Sequence, residues 1–205
     1  MDAEIKAQNS VGADVGIKAT EGGILHILPS QVVWTAKGYG KQAMATAAIA
    51  ALVARPTTTS MLTIYNPASN TKHLVIERVF AHNLVGVAGS SYGIWLCSHP
   101  IGMTAPTGNN ITVRNSTSGL AAGGSVTVVD TAESITDNGW FPWGESGHAV
   151  TVTVPGGSIA PEVGGRIIVP PSAGLSIHVV ADTTGATFTT GFHWFAVPAK
   201  ELTVG

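Results

Sequence analysis

The chain has 205 residues, of which 44% are hydrophobic and only 11% charged, and its formal net charge at pH 7 is −2. Its ten Lys and Arg are scattered singly and the net charge of −2 removes bulk attraction to a phosphate backbone, so nucleic acid is not an expected partner. Charged residues fall well below the usual quarter of a soluble domain, and such a surface points to burial against other subunits, the alternative being a compact β-domain covered by Thr, Ser and Asn.

Residues 1–20 mix Gly, Asp, Asn and Lys with isolated apolar positions and read as an extended N-terminal arm that cannot fold alone. Val11, Val15 and Ile17 are its candidate contacts with a neighbour. The start has no basic segment followed by an apolar run, so no secretory signal is expected. Residues 21–205 read as one β-sandwich domain, beginning with short strands at 23–28 and 31–34 on either side of Pro29 and Ser30. In residues 42–53 alanine favours a helix, while Thr46, Ile49 and Val53 favour the strand to which the reading leans. That run is too short to span a bilayer, and no membrane partner is expected.

Residues 60–65 and 73–84, joined by the Asn/Pro-rich turn 66–72, read as a hairpin. The first half of the second strand is apolar on both faces, as suits a central strand between two layers. A strand at 92–97, a loop at 98–110, and alternating strands at 111–114, 125–129 and 148–154 follow. The chain closes on apolar runs at 175–181 and 186–197 around a polar turn ending in Gly185, which read as a terminal hairpin. Leu175, Ile177 and Val179, with Phe188, Phe192 and Trp194, are expected to face the core. Such spacing of strands and turns predicts an all-β, antiparallel β-sandwich or jelly roll rather than βαβ units.

No catalytic or cofactor motif emerges. The histidines lie in separate segments, and the nearest pair for a metal, His178 and His193, does not come opposite itself in the expected hairpin. Cys97 is the one cysteine, so no intrachain disulfide or multi-thiolate site can form. Cys97-Ser98-His99 and Gly144-Glu145-Ser146-Gly147-His148 gather residue types of nucleophilic catalysis without its spacing, and a buried thiol and a turn are the plainer readings. Asp130, Glu133, Asp137 and Glu145 match no calcium-loop pattern and read as a solvated loop. No metal and no cofactor are expected. Trp140, Phe141 and Trp143 around Pro142 are the best partner-contact candidates, because three large rings on a bent segment cannot all enter one core. The competing reading has that segment plugging the end of the sandwich.

The phrases Pro56-Thr57-Thr58-Thr59, Leu62-Thr63-Ile64-Tyr65-Asn66 and Leu74 to Ala81, with Val169-Pro170-Pro171-Ser172-Ala173-Gly174 and Phe192-His193-Trp194-Phe195, resemble virion structural proteins of tailed bacteriophages. That resemblance implies a non-enzymatic jelly-roll protein located on the virion, of the capsid decoration (cement) or head-tail accessory type. It further implies a homo-oligomer, with a trimer favoured, that binds the major capsid protein or other virion proteins. A carbohydrate- or receptor-binding sandwich of a tail or head fibre is the alternative. A hydrolase or metalloenzyme of jelly-roll type stands third.

Overall fold

Apolar runs bounded by Gly, Pro and Asn become strands in the computed structural model, which describes residues 6–8, 14–16, 29–122, 124, 126–144, 147–148 and 157–202. In chain order, β1 (Lys6–Gln8) and β2 (Asp14–Gly16) precede a helix, α1 (Ser30–Ala36), and then come β3 (Gly40–Met44), β4 (Ile49–Ala50), β5 (Ser60–Asn66), β6 (Lys72–Val85) and β7 (Ser91–His99). The second half adds β8 (Thr107–Asn110), β9 (Arg114–Asn115), β10 (Thr127–Glu133), β11 (Phe141–Pro142), β12 (Gly147–His148) and β13 (Ser158–Ile159). It ends with β14 (Glu162–Val169), β15 (Ala173–Ala181) and β16 (Thr187–Pro198).

Two antiparallel sheets pack face to face as a β-sandwich. One runs β11-β7-β15-β5-β10-β8 with β12 also on β7; the other runs β13-β6-β16-β3-β9 with β14 also on β6 and β4 also on β16. Leu175, Ile177 and Val179 of the first sheet and Phe188, Phe192 and Trp194 of the second are all buried in the shared core, as their alternation required. Burial of these side chains, each contributing about 1.5–3 kcal/mol, holds the layers together without a disulfide.

Neither expected hairpin exists. β5 lies in the first sheet and β6 in the second, and β15 and β16 are divided in the same way, so both turns carry the chain from one layer to the other. The signal was ambiguous for a physical reason. A short polar turn between apolar runs serves a hairpin, whose strands share hydrogen bonds, equally well as an arch, whose strands share a core. Buried Asn66 pins the first crossing, its Nδ2 donating to Lys72 O at 2.9 Å and to Val169 O at 3.0 Å. At the second, Leu52 N donates to Val179 O and Ala51 N to Ala186 O, bridging both layers.

Residues 31–34 are helical rather than extended, lying within α1. Pro29 sets a PPII-like entry, and the helix lays Trp34 on Phe195 at 5.5 Å between ring centroids, so tertiary packing overrides the β-preference of Val32 and Val33. The strand expected at 23–28 lies outside the described residues. Residues 42–53 contain strand, as β3 and β4, separated by Ala45 to Ala48. The loop expected at 98–110 ends in the exposed edge strand β8, and the strand expected at 111–114 reduces to β9. In the N-terminal segment, β1 and β2 pair antiparallel, with Ala7 opposite Val15.

Candidate functional site

The aromatic segment divides its three rings between different tasks. Trp140 is only 5% exposed, packs with Cys97, Val129 and Ile135, and donates from Nε1 to Thr57 O at 2.9 Å. It is therefore a core residue rather than a partner contact, because the segment around it lies on the outer face of the first sheet. Asp137 straps that cover down through two contacts to Arg55 of 2.7 and 2.8 Å, and the guanidinium holds its carboxyl down at about 2. Phe141 and Trp143 are half-buried, edge to face at 5.7 Å, with the Arg166 guanidinium 5.5 Å from the Trp143 ring. Val11 and Ile17 lie outside the described residues, and Val15 is placed only by its backbone pairing with Ala7.

Beneath the cover, residues far apart in sequence form a hydrogen-bonded chain. Ser60 Oγ meets Thr63 Oγ1 at 2.6 Å, Thr63 meets Ser176 Oγ at 2.7 Å, Ser176 meets His99 Nε2 at 2.8 Å, and His99 Nδ1 meets Asn138 Oδ1 at 2.7 Å. With the Asn138 carbonyl accepting from Nδ1–H, Nε2 of the neutral ring accepts from Ser176, and every hydroxyl then points the same way along the chain. Its connectivity is that of a serine nucleophile, base and orienting amide. Ser176 is fully buried, however, and His99 is 4% exposed, so no substrate carbonyl can reach the hydroxyl in this fold. Burial holds the His99 pKa below its ordinary value, keeping the ring neutral. Cys97 shares this face, and burial raises its thiol pKa.

His178 and His193 stand in different sheets. His178 is buried, opposite Trp95 and edge-on to Trp140 at 6.4 Å, and burial pushes its pKa down to about 4. Among the described residues no three His, Cys, Asp or Glu gather as a metal would require.

A large concave feature lies on the outer face of the second sheet. There α1, Trp34 and Tyr39 cover Phe195, Val75 and Val197, and the uncovered remainder forms a groove of about 910 Å³. Its floor follows from register. Glu162 lies opposite Arg78, Arg78 opposite His193, His193 opposite Gln42 and Gln42 opposite Arg114, one row crossing β14, β6, β16, β3 and β9. At strand spacing the row spans about 19 Å. Irregularities in the ladders of both β14 and β16 with β6 fall at Arg78 and bring Glu77 into the groove as well, re-aiming side chains as bulges do. His193 is held by Ser116 Oγ at 3.1 Å, and its pKa is lowered by burial and by the Arg78 charge. Beside the row, Phe80 lies against Gly191, where any Cβ would overlap its ring. The row was illegible in the sequence: five strands contribute one residue each, and only the sheet registers bring them together.

No family model matches the chain, and no curated protein or solved structure matches it.

Proposed function

We propose that the chain is a non-enzymatic structural subunit of a virus particle, binding its own copies, as a trimer, and the capsid lattice. The observation that carries this reading is an apolar end of the sandwich. Val53, Leu84 and Val85 are 59%, 36% and 49% exposed. They gather where β15 turns into β16, since Thr187 pairs with both Val85 and Ala50 and Leu52 bridges Val180. In a chain with 11% charged residues, such a surface is suited to burial by another subunit. The sealed Ser176–His99–Asn138 chain is consistent with a non-enzymatic role, because it spends catalytic residue types on tying the cover to the sheet. The N-terminal segment, through Val11, Val15 and Ile17, supplies a second tie to neighbours. Light scattering at micromolar concentration tests the assembly: a mass three times that of the chain is expected, reduced to one chain by Val53→Lys with Val85→Lys. A monomer under all conditions, or a trimer indifferent to both substitutions, overturns this assignment of the surface.

A further inference from the structure

We propose that the outer groove of the second sheet binds a linear, uncharged oligosaccharide along the row Glu162, Arg78, His193, Gln42 and Arg114. This site is independent of the assembly reading, which concerns the apolar end of the sandwich.

The first argument is the state of its charges. The chain carries ten basic and twelve acidic side chains in all, and two of each, Arg78 and Arg114 with Glu77 and Glu162, line this one groove. Elsewhere opposite charges meet, as in Arg55–Asp137 and Lys37–Glu201. In the groove they do not: among the described residues, none of the four forms an ion pair, although Arg78 and Glu162 are direct cross-strand neighbours. Arg114 spends one donor, Nη1, on the Gly119 carbonyl at 3.1 Å, and the signs of the four groups cancel, which favours a ligand without net charge over an anion or a cation.

The second argument is shape. A row at right angles to the strands, about 19 Å long, presents carboxylate, guanidinium, imidazole, amide and guanidinium groups in succession. Hydroxyls on adjacent carbons of a sugar both donate and accept, so they suit this alternation of planar donors and acceptors. A peptide captured by strand addition needs unpaired backbone, but the central strands of this face already have both neighbours, leaving only side chains to read a ligand. Phe80, fixed against Gly191, adds an apolar ring beside the polar row, the usual composition of a ligand groove of this volume. The third argument is local geometry: ladder irregularities on both sides of Arg78 disturb the sheet at the second position of the row.

The test uses the full chain on a glycan array carrying neutral, sialylated and sulfated oligosaccharides, followed by calorimetric titration of the strongest neutral binder. Binding to neutral members is expected. Arg78→Ala with Glu162→Ala, both exposed positions, should weaken it at least tenfold with an unchanged unfolding temperature. Phe80→Leu provides a second, independently placed variant with the same expected direction. Failure of every neutral glycan to bind at millimolar concentration overturns the proposal. So does preference for the anionic glycans, or affinity that ignores these substitutions.

Discussion

Acid should loosen this fold through a single buried histidine, His178. His178 is 4% exposed, its Nδ1 lies 2.9 Å from Val179 O, and burial lowers its pKa from 6.5 to about 4. The unfolded chain takes up this proton as pH falls through about 6.5, while the folded chain refuses it until about 4. Stability is therefore complete above that window, declines through it and flattens below. At about 1.4 kcal/mol per decade the full loss is about 3 kcal/mol, with about 2 kcal/mol gone by pH 5. Urea unfolding of the wild type and of His178→Leu at pH 7, 6 and 5 isolates the effect, since His99 and His193, whose pKa values are also lowered, titrate in both proteins. Losing the Trp140 contact gives the variant a fixed deficit. That deficit should shrink by about 2 kcal/mol between pH 7 and pH 5. A difference that stays constant across pH refutes the reasoning.

Trp194→Ala, at a fully buried core position, should cost about 3–5 kcal/mol in equilibrium unfolding, and a cost below about 1 kcal/mol would place the ring outside the core. Ser176→Ala should cost about 1–3 kcal/mol by urea unfolding, because it strands Thr63 and His99 without their shared partner. Gly191→Ala should cost about 1–3 kcal/mol in the same assay, since the new methyl meets both the Phe80 ring and the Ala43 carbonyl. Cys97 should resist a thiol reagent in the native protein and react upon unfolding, which a timed labelling assay with and without urea reads directly.

The layers were legible wherever alternation was strong: Leu175, Ile177 and Val179 declare one buried face, and Phe188, Phe192 and Trp194 another. Which strands pair was not, because periodicity tells a strand which face is apolar and not which neighbour it meets. Both short turns thus read as hairpins although Asn66 and the 51–52 segment turn them into crossings. Trp140, Phe141 and Trp143 illustrate the same limit at a site. Composition shows that the rings need somewhere to go, but only the path of the cover over the first sheet decides that Trp140 enters the core while the other two remain half-buried. The buried Ser176–His99–Asn138 chain and the polar row in the outer groove are products of register between distant strands, and no local spacing announces either.

The central claim, a structural subunit of a virus particle, is tested most directly by purified particles from the source of the sequence, imaged at subunit resolution with protein content measured by mass spectrometry. The account predicts the chain in fixed ratio to the major capsid protein, with its sandwich seated on the lattice as trimers. Particles that lack the chain, or carry it only in trace and variable amounts, would contradict it.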